Sequence, residues 1–149
     1  MATVWPVEEV IRSVLEGRRT WAVVGCSPDP SRDSNRIARL LASRGYRVIP
    51  VNPTCSSVFG ERCYPTLAEA AAEAGPIEVV DIFRRSSEAG AHVDEAITIG
   101  ASAVWMQLGV IDEAAAERAR AAGLDVVMDR CPAIELPRLG IRGPADAAR

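Results

Sequence analysis

The stretch Val23–Ala38 reads VVGCSPDPSRDSNRIA. An apolar strand runs into one glycine, then into a polar, proline-marked loop, and a helix follows. Gly25 permits close backbone approach, and Ser34 has the residue type and place of a helix cap. Free N–H groups at that helix start, with the helix dipole behind them, suit an anion and above all a phosphate. A plain capped connection between strand and helix has the same spacing.

Other polar residues fall at comparable places. The chain has only two Asn, Asn35 and Asn52, and one Gln, Gln107. All three stand at predicted strand exits or at the helix start just beyond. Neutral amides suit a ligand with several donors and acceptors. Arg84 and Arg85 follow another strand, and guanidinium binds phosphate bidentately. Every one of the seventeen basic residues is Arg. With no Lys, Schiff-base chemistry and a Walker lysine are excluded, so a phosphate clamp must be Arg or backbone.

Cys26 reads two ways, as a small packing residue or as a thiol activated by the helix dipole. The other cysteines are Cys55, Cys63 and Cys131. No C-x-x-C occurs, and the single His92 is far from every Cys in sequence, so no metal site is expected. A Cys55–Cys63 disulfide is compatible with the spacing but disfavoured in a reducing compartment. Asp81, inside a strand, reads as buried and hydrogen-bonded.

These residues need a scaffold, and the apolar pattern supplies one. Strands are predicted at 21–24, 48–51, 77–83, 103–106 and 124–128. Helices are predicted at 6–17, 34–44, 88–99 and from Asp112 to Gly123, with a further one opening on Thr66-Leu67-Ala68-Glu69, a capping box. Strands alternating with helices mean βαβ units and a Rossmann-like, doubly wound, mainly parallel sheet with helices on both faces. Pro50 inside its strand points to an exposed edge or irregular pairing there. One short strand is expected within 54–65, and an extended wrap after Pro132. The chain divides into an N-terminal helical extension over 1–19, a core over 20–137 and a tail over 138–149, all one domain.

At 149 residues and 48% apolar content the chain can bury a real core. Net charge is −3 with no single-sign block, which argues against nucleic-acid binding. No apolar run reaches membrane-spanning length, and no secretion signal opens the chain, so a cytoplasmic protein is expected.

Taken together, VVGCSPDPSRDSNRIARLL, VIPVNP, VVDIFRR, VWMQLG and VVMDRC resemble the small stand-alone CoA-binding domain proteins. These are similar to the N-terminal domain of the succinyl-CoA synthetase alpha subunit. The likeness runs in order from about Thr20 to about Pro137. It implies a cofactor, coenzyme A or an acyl-CoA, with its diphosphate against Gly25, Cys26, Ser27 and the helix start at Ser34 and Asn35. It places Asn52 and Pro53 at the adenosine end, with Phe83, Arg84, Met106 and Gln107 completing the cleft. The synthetase's lysine after V-N-P is replaced by Thr54-Cys55, and its phosphohistidine domain is absent, so ligase activity is not implied. No catalytic residue is assigned. Two rivals remain: a thiol-active enzyme using Cys26 on CoA, and a regulatory protein responding to NAD or ADP. Against NAD stand the lack of G-x-G-x-x-G and the neutral Asn52 where an acidic residue would hold the ribose.

Overall fold

The computed structural model describes residues 6–145. Along the chain the elements are α1 (Val7–Gly17), β1 (Thr20–Val24), α2 (Asp33–Ser43), β2 (Arg47–Val51), β3 (Ser57–Val58), β4 (Glu61–Arg62) and α3 (Leu67–Ala74). The second half adds β5 (Val79–Ile82), α4 (Ser86–Thr98), β6 (Ala103–Met106), α5 (Glu113–Ala121), β7 (Asp125–Val127) and α6 (Pro132–Arg138). Five strands pair in parallel in the order β2-β1-β5-β6-β7, and β3 and β4 form a separate small hairpin. This is the Rossmann-like single domain that the alternation predicts.

Parallel strands covered on both faces are mainly apolar, and β1, β5 and β6 show that pattern, with Asp81 in β5 the buried exception. One face carries Ala22, Val24, Ile49, Val80, Ile82, Val104 and Met106 against α3, α4 and α5. The other carries Trp21, Val23, Val48, Val79 and Trp105 against α1, α2 and α6. Trp21 anchors that second layer, with its ring centroid 5.5 Å from those of both Trp105 and Tyr46. The two indole N–H groups donate to Arg18 C=O (3.1 Å) and Arg130 C=O (2.8 Å), so neither buried ring leaves a polar atom unpaired.

The polar caps settle the helix starts. Thr66 Oγ1 accepts from Glu69 N–H at 3.1 Å, and Asp112 Oδ1 from Ala115 N–H at 3.0 Å. Ser34 is not a cap. α2 begins one residue earlier, with Arg32 at the N-cap position and no side chain closing it. β2 is an edge strand, the first of the two arrangements Pro50 allows. Val51 C=O points inward to Gly25 N–H (2.8 Å), whereas Pro50 C=O faces out and accepts from Tyr64 N–H at 3.0 Å.

Two segments differ from the sequence expectation. Residues 54–65 hold two strands rather than one, because a turn at Phe59-Gly60 with positive φ folds the segment back on itself. The segment from Pro132 is a helix, not an extended wrap. Proline at the first helical position has the right φ and no wasted N–H, and Leu136 then packs into the core. Arg138 fixes this helix to α1. It binds both oxygens of the buried Glu135 (2.9 and 3.1 Å) and reaches Glu8 at 2.7 Å.

Candidate functional site at the strand exits

The sheet order places β1 beside β5, while the chain leaves β1 for β2 on one side and later runs outward through β6 and β7. The crevice between the exits of β1 and β5 is therefore the topological switch point, where ligands bind in open α/β sheets. A cleft of about 950 Å³ opens there, lined by residues that include Gly25, Ser27, Ser34, Phe83, Arg84 and Gln107.

The wall of the cleft is the turn after β1. Gly25 has φ +82°, a conformation open to glycine at little cost. A side chain there would also strike the carbonyl of Phe83. The turn is then braced by hydrogen bonds. Ser34 Oγ accepts from Ser27 N–H (2.9 Å), Asn35 Nδ2 donates to Ser27 C=O (2.9 Å) and Asn52 Nδ2 donates to Cys26 C=O (3.0 Å). Asn52 Oδ1 in turn accepts from both Thr54 N–H and its hydroxyl. Further along, Asp29 accepts from the backbone and hydroxyl of Ser31, which hold its carboxyl below the ordinary range.

These braces leave backbone donors free. The first intrahelical bond of α2 is Arg36 N–H to Arg32 C=O (3.1 Å), so the amides of Asp33, Ser34 and Asn35 precede the ladder. α4 likewise begins its bonding with Glu88 and Ala89 donating to Arg85 C=O. Two helix N-termini thus flank one cleft. Arg32, Arg84 and Arg85 line it and, among the described residues, form no ion pair. Arg36 also lines it but is engaged by Asp33. The positive charge outweighs the carboxylates of Asp33 and Glu88. A second cavity of about 490 Å³, lined by Pro53, Thr66, Leu67 and His92 among others, shares Arg84 and Glu88 with the first. It lies on the β2 side, where Asn52 and Pro53 leave the sheet.

Not every residue named from the sequence reaches the cleft. Met106 is buried on the opposite face, inside the core with Val104. Cys26 presents only its carbonyl, to Asn52. Its side chain is fully buried, and burial pushes the thiol up to about 12, so the helix dipole does not activate it. Asn35 and Asn52 act on the loop rather than lining the main cleft. Cys55 and Cys63 are free thiols whose sulfurs lie 2.8 Å apart, beside Asn52 C=O. Sequence reasoning did not single out Leu108 and Val110, which add apolar surface to the cleft beside Ile37 and Phe83. Their signal was the exit from β6, already marked by Gln107.

A family model described as a CoA binding domain matches residues 19–137. The chain belongs to the CoA binding domain family. YneT of Bacillus subtilis is 33% identical over 126 residues, spanning 85% of this chain and 91% of its own. Among solved structures, Prb, a protein redesigned for binding, is 39% identical with a TM-score of 0.84, covering 91% of this chain and 93% of that one. A hypothetical protein from Pyrococcus horikoshii is 37% identical with a TM-score of 0.82, covering 93% and 99%. In this CoA binding domain the matched span runs from just before β1 to the penultimate residue of α6, so it contains all five parallel strands and every strand exit described above.

Proposed function

We propose that the chain binds coenzyme A or an acyl-CoA in the switch-point cleft and is a binding protein rather than an enzyme. The observation that carries this reading is the pairing of unsatisfied backbone amides at the start of α2 with the unpaired guanidinium of Arg84 across the cleft. Together they offer a diphosphate both N–H donors and charge, without a lysine. The diphosphate rests on Gly25, Ser27 and the α2 amides. The adenosine lies toward Pro53 in the smaller cavity, and the pantetheine arm runs past Phe83 to Gln107.

The absence of catalysis in this reading rests on the inaccessible thiol of Cys26 and on His92, which lines the smaller cavity but pairs with Glu95 at 2.7 Å. In this reading the protein works in the cytoplasm, where its thiols stay reduced.

A thermal-shift series with CoA, acetyl-CoA, ADP and NAD tests the ligand. A ligand that binds only the folded state stabilises it by ~2.7 kcal/mol at a hundredfold excess over Kd. CoA is expected to raise the melting temperature more than NAD at equal concentration. An equal or larger shift with NAD would overturn the reading.

A further inference from the structure

Asp81 is the one carboxylate on the five parallel strands that is wholly sealed from solvent. Its register neighbours on β1 and β6 are Val23 and Trp105, so an apolar residue would suit the position. Its Oδ2 has no hydrogen-bond partner, which makes the group costly to bury. Its Oδ1 has one partner, Gln107 Nε2, at 2.6 Å. Gln107 is itself 5% exposed and lines the cleft.

We propose that Asp81 is a positioning residue for ligand specificity: it holds the Gln107 amide with nitrogen toward the sheet and carbonyl oxygen toward the cleft, so the ligand group meeting Gln107 must be a hydrogen-bond donor. This rests on the CoA reading above and deepens it.

The hydrogen-bond geometry sets the orientation. The amide nitrogen stands 2.6 Å from Oδ1, an arrangement in which Oδ1 accepts. Burial pushes the Asp81 carboxyl up to about 8. In that arrangement a proton on the carboxyl sits on the unpartnered Oδ2, and Oδ1 still accepts. Gln107 Oε1 then points away from Asp81. Among the described residues it accepts no hydrogen bond, yet it is not one of the sealed, unpartnered atoms. Its open side is the cleft.

Distance along the sheet identifies the donor. Neighbouring strands lie about 4.8 Å apart, so β6 is about 10 Å from β1. A diphosphate at the Gly25 turn with adenosine toward β2 sends the rest of the ligand toward β6. On a pantetheine arm the donors at that reach are amide N–H groups. A nucleotide without the arm offers Gln107 nothing.

The test measures CoA and ADP affinities for the wild type, Gln107→Met, Asp81→Asn, the Asp81→Asn/Gln107→Met pair, and the Asp81→Asn/Gln107→Glu pair. Gln107→Met should weaken CoA about tenfold, the loss of one hydrogen bond to a buried group, and leave ADP unchanged. Asp81→Asn can turn its own amide nitrogen toward Gln107 and rotate the Gln107 nitrogen into the cleft. It should weaken CoA several-fold, with no further loss in the Gln107→Met background. Adding Gln107→Glu restores an acceptor to the cleft and a matched partner to Asn at 81, and should recover most of the affinity. The proposal is overturned if Gln107→Met leaves CoA binding unchanged. Equal weakening of CoA and ADP by Asp81→Asn, or an effect that persists without Gln107, reduces Asp81 to a structural role. A wild type that binds no CoA overturns the functional reading itself, a result distinct from either.

Discussion

The carbonyl oxygen of Phe83 occupies the space that a β-carbon on Gly25 would need. The β1 and β5 exits are packed backbone against backbone at the switch point, with Phe83 N–H also donating to Val24 C=O at 2.9 Å. Gly25→Ala therefore meets two obstacles, this collision and a φ of +82°. It should cost about 1–3 kcal/mol by backbone strain alone, read as a lower urea midpoint, and CoA should no longer stabilise the variant. A variant as stable as the wild type would show that the two exits are free to separate.

Asp81 gives the protein a signed pH dependence. Burial raises its carboxyl from the ordinary 3.8 to about 8. Between those values the folded chain keeps a proton that the unfolded chain has lost. Its contribution to stability is full in acid, declines as pH rises through that window, and is constant above it, with a slope of at most ~1.4 kcal/mol per pH unit. Asp81→Asn should flatten this decline and be the more stable protein above the window. Urea midpoints at several pH values check it, and parallel curves for the two proteins would contradict it.

The thiols should react in an order set by burial. Cys26 is fully buried with its thiol near 12, and Cys63 is also pushed up to about 12, by burial first and by Cys55 second. Cys55 is only partly buried. Alkylation of the native protein followed by peptide mass spectrometry should label the partly buried Cys55 and Cys131 before Cys63 and reach Cys26 only on unfolding. Labelling of native Cys26 at the rate of an exposed thiol would reopen the enzymatic reading.

Arg138 and Glu8 allow a comparison across one ion-pair network. Arg138→Met removes both hydrogen bonds to the carboxylate of Glu135, whose side chain is only 3% exposed, and leaves it Arg130 alone at 4.0 Å, whereas Glu8→Gln removes a partner that is 68% exposed. A stranded buried charge is costly, and an exposed pair contributes little. Thermal melts should show a clear loss for Arg138→Met and almost none for Glu8→Gln.

The sequence made the scaffold legible because periodicity reports which side of a helix or strand is apolar. Gly25, Arg84 and Gln107 were found at the cleft for the same reason, since each ends a recognisable strand. What spacing cannot report is where a side chain spends its hydrogen bonds. Asn35, Asn52 and Gln107 looked alike as ligand contacts. The amide nitrogens of the first two are used by the loop between β1 and α2; the unpartnered oxygen of Asn35 is sealed from solvent, and that of Gln107 is not. Met106 and Gln107 are adjacent, but strand alternation sends one into the core and the other to the cleft. Cys26 was ambiguous because its distance from a helix start says nothing about solvent, and burial decides its reactivity. The helix at Pro132 was missed because a segment with two prolines reads as irregular. Cys131-Pro132 is in fact a good opening for a helix.

Pro50 has a consequence beyond marking an edge. An open parallel sheet has two borders where a strand from another molecule could add. Along β2 the outward-facing positions include one with no N–H to offer, and the backbone beside it is already taken by Tyr64. The opposite border, β7, is only three residues long. A missing donor, a local strap and a short strand are the means by which natural sheets resist edge-to-edge aggregation. Pro50 thus serves the chain as a guard against self-association, at a position that takes no part in the cleft.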